Sequence, residues 1–288
     1  MPNGIIVIDK PTDWTSHDVV AKLRRHLKEK RIGHAGTLDP MATGVLPIFV
    51  GRATRAVEFA MEGEKEYIAG LRLGLTTDTQ DITGTVLSEQ AVSFTAADLE
   101  GVLTPFRGEI SQIPPMYSAI KLQGKKLYEL ARAGKEVDRA PRNITIHELE
   151  ILQQVSPCDF LLRVRCSKGT YIRTLCHDIG TALGVGGCLY SLRRTYAAGF
   201  SEDISHTLAS VLDCESPSDL LLPVDQYFAS YPSLSVNDEQ EKKIRNGASF
   251  SFQTADGTYR VYGADGSFLM LGLAENDVIS TIKSFFEV

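Results

Sequence analysis

The part of this 288-residue chain best suited to present a reactive group is the run Gly33-His34-Ala35-Gly36-Thr37-Leu38-Asp39-Pro40. Two glycines let backbone approach a ligand closely and Pro40 fixes the path after a carboxylate, so Asp39 can be held rigidly as a nucleophile or a base. An aspartate before proline also simply opens many turns, and spacing alone favours that plainer reading. A second candidate is Ser167-Lys168-Gly169-Thr170-Tyr171-Ile172-Arg173, where a basic strand end passes through glycine into a helix start. Free amides and the helix dipole attract anions at such a point, and Tyr171 and Arg173 fall near the first turn. A plain strand-to-helix connection with surface charges explains the same residues equally well. Tyr67 and His34, each taken singly, are more often core or structural residues than catalytic ones.

Several chemistries are excluded. There is no G-x-x-x-x-G-K-[ST] run, no G-x-G-x-x-G opening a helix and no cluster with metal-ligand spacing, so neither nucleotide cofactor nor metal is expected. The five cysteines, Cys158, Cys166, Cys176, Cys188 and Cys214, form no C-x-x-C knuckle and read as reduced thiols. The apolar run Gly4–Ile8 is far too short for a signal core or a membrane span of about 20 residues, so a cytoplasmic protein without a membrane partner is expected. Net charge is -6, which argues against nucleic acid until its distribution is read. Residues 1–200 hold 25 Lys+Arg against 22 Asp+Glu, whereas residues 201–288 hold 5 against 14. Basic residues concentrate at 107–147, with 8 against 4, and at 160–200, with 6 against 1. Solvated faces are the bland account of both.

The elements that must position these groups follow from periodicity. Gly4–Asp9 reads as a buried strand. Thr15 and Asp18 form a capping box ahead of a helix whose inner face is Val19, Val20, Leu23 and Leu27. Val45–Val50 resumes a strand, Ala53–Met61 looks helical, and Tyr67, Ala69, Leu71 and Leu73 alternate along one face of another strand. Thr76–Thr83 is a polar connection. Thr95 and Asp98 cap a helix with Leu99, Val102, Leu103 and Phe106 inward. An extended Ile113–Tyr117 segment precedes a basic helix over Lys125–Ala133, then strands at Ile144–Val155 and Phe160–Cys166, a helix at Thr170–Leu183 and sheet at Leu189–Phe200. From Tyr231 a charged helix, Asp238–Arg245, leads into short strands with Asp256-Gly257 and Asp265-Gly266 at their turns, which suggests a small β-barrel.

Taken together, Lys10-Pro11 with Trp14-Thr15-Ser16, the run Gly33 to Pro47, Lys65-Glu66-Tyr67, and Ser167 to Arg173 resemble the bacterial tRNA pseudouridine synthases of the TruB family, which modify uridine 55 in the T-loop. The likeness runs from the first strand to about residue 200, and more weakly into a C-terminal barrel of the PUA type. Asp13 stands where the family usually has glycine. The resemblance implies an α+β fold with a mixed, mainly antiparallel sheet and flanking helices, a catalytic domain over 1–230 with a basic RNA-binding insertion about 111–144, and a PUA-like domain over 231–288. It implies Asp39 as the catalytic carboxylate, Arg173 as its partner, and a uridine pocket of His34, Tyr67, Tyr171 and Leu192. Lys10, Lys125, Lys126, Arg132 and Lys168 are the expected RNA contacts. The T-arm of tRNA is the expected partner, bound by a monomer with no obligate protein partner and no cofactor.

The chemistry suits these residue types. Moving uracil from N1 to C5 attachment is redox-neutral, an ionised carboxylate can start the cleavage, and a guanidinium can keep that carboxylate charged. Tyr67 could stack on a flipped base and assist loss of the C5 proton. Three other readings stay open: a non-catalytic RNA-binding protein, a guide-RNA-dependent synthase of related type, and a sugar-cleaving enzyme with paired carboxylates. The last would need a second acid near Asp39, and Asp9 and Asp18 lie in no comparable loop.

Overall fold

The computed structural model describes residues 2–122 and 124–287. Its main body is a ten-stranded sheet in the order His206–Thr207, Gly4–Lys10, Thr43–Val50, Gly187–Ala197, Lys65–Leu73, Asp159–Cys166, Arg142–Gln154, Gly108–Gln112. The short strands Ile32–His34 and Phe200–Ser201 pair outside this path. Two junctions are parallel, Gly4–Lys10 with His206–Thr207 and Thr43–Val50 with Gly187–Ala197; the others along the path are antiparallel. This is the mixed, mainly antiparallel α+β architecture expected.

The periodic signals locate the core well. Tyr67, Ala69, Leu71 and Leu73 are all buried, as are Val19, Val20, Leu23 and Leu27 on the helix Ser16–His26. That helix carries the Thr15–Asp18 capping box, with Asp18 N donating to Thr15 Oγ1 at 3.0 Å. A cap contributes about 1 kcal/mol, while burying several aliphatic side chains contributes roughly 1.5–3 kcal/mol each. Packing against the sheet therefore decides where this helix sits, and the cap decides where it begins, which places Ser16 at its first turn.

Three local expectations change. Residues 51–60 form a 3-10 turn, Gly51–Ala56, before a single α turn, Val57–Ala60. The basic segment is not helical from Lys125. Gly124 adopts φ +85°, and Lys125 and Lys126 pair with Leu122 and Lys121 as a small hairpin; only Leu127–Arg132 is helix. The helix before Leu183 begins at Ile172, because Tyr171 is extended and caps it.

The C-terminal segment forms a five-stranded curled sheet in the order Ser233–Ser235, Gly257–Tyr262, Phe268–Glu275, Val278–Ser284, Phe250–Ser251, with the helix Asp238–Arg245 as expected. Asp265-Gly266 does make a hairpin turn, with Gly266 at φ +80° and Asp265 Oδ1 accepting from Ser267 N at 2.9 Å. Asp256-Gly257 instead leads into a strand. The second tight turn is Asn276-Asp277, both at positive φ, 52° and 58°. This sheet docks on the main body through an aromatic cluster in which Phe228 meets Phe59, Phe268 and Phe285 at centroid separations of 5.5, 6.3 and 5.5 Å. Among the described residues no helix is long and apolar enough to cross a membrane.

Candidate active site

The loop that carries Asp39 is fastened on both sides of the carboxylate. Ser16 Oγ accepts from Leu38 N at 2.9 Å and lies 3.3 Å from Leu38 O. Pro40 O accepts from Asp13 N at 2.9 Å and from Lys10 Nζ at 3.2 Å. The Lys10 ammonium also donates to Pro11 O at 2.8 Å and Trp14 O at 2.6 Å, and the side chain is 0% exposed. This corrects the expectation that Lys10 meets RNA. All three of its donors are spent on backbone carbonyls, so it is an internal strut, and burial brings its pKa down to about 8.

Arg173, the second residue of the helix Ile172–Ala182, reaches Asp39 from a distant part of the chain. Its Nε lies 2.9 Å from Asp39 Oδ2 and its Nη2 3.4 Å from Oδ1. The guanidinium is 5% exposed and also donates to Thr79 O at 3.1 Å and to Tyr117 O at 2.8 Å. Tyr117 belongs to the basic insertion, so one cation ties the Asp39 loop, polar connection and insertion together. Gln112 braces the helix start: its Oε1 accepts from Tyr171 N at 2.9 Å and its Nε2 donates to Tyr171 O at 3.1 Å. One amide expected to be free for an anion there is thereby taken.

Sequence reading missed Asp81. This buried carboxylate has its Oδ2 3.8 Å from Arg173 Nε, while its Oδ1 accepts from Thr79 Oγ1 at 2.9 Å, Thr83 N at 2.9 Å and Thr83 Oγ1 at 2.5 Å. The pattern Thr79-Gln80-Asp81-Ile82-Thr83 was its signal, since flanking threonines are what a buried carboxylate needs. Asp39 differs from it in keeping 36% of its side chain exposed. Protein walls on the remaining sides push its pKa up, Arg173 pulls it back and Asp81 pushes it up again, leaving it above the ordinary carboxylate value.

Tyr67 stands across from Arg194 in antiparallel register, and Leu192 from Ala69. Tyr67 is 6% exposed, and burial pushes its phenol up to about 12. Tyr171 is half-buried, its phenol also raised by burial, and feels both Asp39 and Arg173. His34, half-buried, has Nδ1 unpartnered, and burial with the nearby Arg194 charge lowers its pKa, which favours neutral imidazole. Asp39 is thus close enough to Arg173, Tyr67 and Tyr171 to act on each electrostatically, with Leu192 in the same apolar cluster as Tyr67. The expected RNA contacts lie apart from it. Lys168 is exposed and paired with Glu62; Lys125 is exposed; Lys126 and Arg132 each stand 5.3 Å from the ring centre of Tyr128. A depression of about 460 Å³ bounded by Trp14, Arg193, Leu208 and Leu212 adjoins Lys10 and does not include Asp39.

Known proteins match the chain over nearly its whole length. Residues 24–172 match the N-terminal domain of the TruB family of pseudouridylate synthases, and residues 173–229 match the C-terminal domain of tRNA pseudouridylate synthase B. The tRNA pseudouridine synthase B of Clostridium kluyveri is 43% identical over 98% of this chain and 99% of its own. That of Alkaliphilus oremlandii is 46% identical over 85% and 82%. Among solved structures, an H/ACA ribonucleoprotein bound to a substrate RNA containing 2′-deoxyuridine superposes with TM-score 0.74 at 26% identity, over 99% of this chain and 86% of that one. A Cbf5–Nop10–Gar1 complex gives 0.73 at 27%, over 99% and 85%. These matches define a pseudouridine synthase, an isomerase of RNA. The chain belongs to the TruB family, whose members act on uridines of tRNA.

Proposed function

We propose that the protein converts uridine 55 in the T-loop of tRNA to pseudouridine, with Asp39 as the catalytic residue. The observation that carries this reading is the Asp39–Arg173 pair, 2.9 Å apart, with the carboxylate partly exposed and the guanidinium buried. A base stacked in a loop is out of reach, so the target nucleoside is flipped, at a cost of a few kcal/mol offset by stacking and new hydrogen bonds. Tyr67 and Leu192 receive the uracil face, and Tyr171 closes the pocket. His34, with a neutral ring, supports the bases left behind.

Asp39 supplies the negatively charged oxygen that starts the reaction. The N1–C1′ bond breaks, the base turns, and C5 bonds to C1′. One proton leaves C5 and one arrives at N1, so no outside reagent is consumed. Arg173 keeps Asp39 ionised against the burial that would neutralise it. Asp81 holds Arg173 in place. Lys125, Lys126 and Arg132 carry the insertion onto the phosphates of the T-arm. The protein works in the cytoplasm as a single chain without an obligate partner, in contrast to the multi-protein particles of the structures it resembles.

The test is to incubate the purified protein with unmodified tRNA transcript and map pseudouridine, beside the Asp39→Asn variant. Product at position 55 is expected for the native protein and none for the variant, whose tRNA affinity stays within a few fold because carboxylate and amide are near-isosteric. Turnover by the variant refutes the assignment of Asp39; product at another uridine refutes the assignment of the substrate position.

A further inference from the structure

We propose that Arg194 is a positioning residue of this site, which fastens the catalytic loop from beneath and holds the Tyr67 phenol in the place and charge environment that proton movement between C5 and N1 requires. The proposal rests on the reading of Tyr67 given above. Arg194 is 0% exposed, yet no carboxylate pairs with it among the described residues. Its Nε donates to Val45 O at 2.7 Å and its Nη2 to Gly36 O at 3.1 Å, so the guanidinium spans the two ends of the glycine-rich run. Nη1 makes no hydrogen bond with ideal geometry among the described residues, and the Tyr67 phenol is close enough to interact with the guanidinium. A buried cation with no carboxylate beside it is costly, and such groups persist where they serve a site.

The surrounding residues are cut to fit it. A Cβ at Gly36 would stand 3.2 Å from Nη1, and one at Gly44 would stand 2.2 Å from the Arg194 carbonyl oxygen, with φ +98° there. Gly36 thus leaves room for the Arg194 guanidinium, and Gly44 for the backbone of the strand that carries it. Arg194 and Tyr67 are direct cross-strand partners, so their side chains share a face at neighbour distance. The cation works against the burial that raises the phenol's pKa. In the reaction the phenol gives its proton to N1 and regains one from C5, ending as it began; the intervening phenolate needs a fixed positive neighbour, and Arg194 is in that position. Neighbouring Arg193 points the other way, to Asp9 and Glu202.

The experiment reads Tyr67 directly and then turnover. Protein carrying 3,5-difluorotyrosine, whose phenol ionises well below that of tyrosine, is titrated by its 19F resonances, Tyr67 being assigned by its loss in Tyr67→Phe. In R194Q the Tyr67 ionisation is expected to move to higher pH and release of tritium from C5-labelled tRNA to fall at least 100-fold, with tRNA affinity within threefold. In R194K, which keeps the charge without the fork, the titration stays near native and the rate falls about tenfold. An unmoved Tyr67 titration in R194Q, or a loss residing in tRNA binding, overturns the proposal. Should R194Q fail to fold, R194K is compared in the Tyr67→Phe background: its tenfold loss shrinks below threefold if Arg194 acts through the phenol, and additive losses overturn it. The titration needs no turnover, so failure of the Asp39 assignment is distinguished from failure of this one.

Discussion

Replacing Arg173 by glutamine tests the electrostatics of the site most directly. Arg173 Nε lies 2.9 Å from Asp39 and 3.8 Å from Asp81, so its loss leaves two carboxylates facing each other with no cation between them. A pair of unit charges about 4 Å apart at an effective dielectric near 20 interacts by roughly 4 kcal/mol. Asp39 is 36% exposed, and screening at that exposure leaves about 2 kcal/mol. At about 1.4 kcal/mol per pH unit this moves the Asp39 ionisation up by roughly 1.5 units. The sign follows from the direction already present: burial and Asp81 hold Asp39 above the ordinary carboxylate value, Arg173 opposes them, and removing Arg173 leaves Lys10 as the remaining opposing charge. Activity that needs ionised Asp39 is lost as pH falls through that value, so the acid limb of the rate profile shifts toward neutrality. Single-turnover pseudouridine formation between about pH 5 and 9, with tRNA saturating, measures the limb. Arg173→Lys should return the limb toward its native position without restoring the maximal rate, because an ammonium cannot serve Asp39, Thr79 O and Tyr117 O at once. An acid limb that stays put in the glutamine variant refutes the claim that Arg173 sets the charge of Asp39. Buried Asp81 loses its cation too, so a stability loss of about 3–5 kcal/mol is expected and is read by urea unfolding.

Two further outcomes are expected. Neutralising Lys125, Lys126 and Arg132 together should lower the slope of log affinity against log salt for tRNA by roughly 2–3, at about 0.7–0.9 per phosphate contact; an unchanged slope removes the insertion from the interface. Asp13 sits at φ +62°, where glycine costs nothing, so Asp13→Gly should raise stability by about 1 kcal/mol, seen as a higher urea midpoint.

Much of the fold was legible because burial repeats with the period of each element. The strand face Tyr67, Ala69, Leu71 and Leu73, and the helix face Val19, Val20, Leu23 and Leu27, needed only that rule. What escaped depends on conformation or on partners distant in sequence. Lys125 and Lys126 have helical propensity but follow a glycine at φ +85° that turns the chain into a hairpin. Asn276-Asp277 makes a tight turn without glycine because both residues tolerate positive φ. Lys10 counts as a basic residue in any composition, and only the fold reveals that its charge is sunk into three carbonyls.

The candidate site divides along the same line. Asp39 and Arg173 stood out because each follows a glycine, Gly36 or Gly169, within four residues, and part of that signal has a structural cause: Gly36 leaves room for the Arg194 guanidinium and Gly44 for the Arg194 backbone. The visible motif thus answers in part to a residue some 150 positions away in the chain, with Arg194 Nε reaching Val45 O across a separation of 149. Arg194 itself is inconspicuous in sequence, one of two adjacent arginines on a strand, and alternation alone separates the one that faces Asp9 from the one that faces the loop. Asp81 is hidden for the converse reason, since its partners Thr79 and Thr83 are local but its task, facing Arg173 from 92 positions away in sequence, is not. A catalytic carboxylate is readable where backbone geometry restricts its neighbours; the charges that tune it are free to come from anywhere the fold can deliver them.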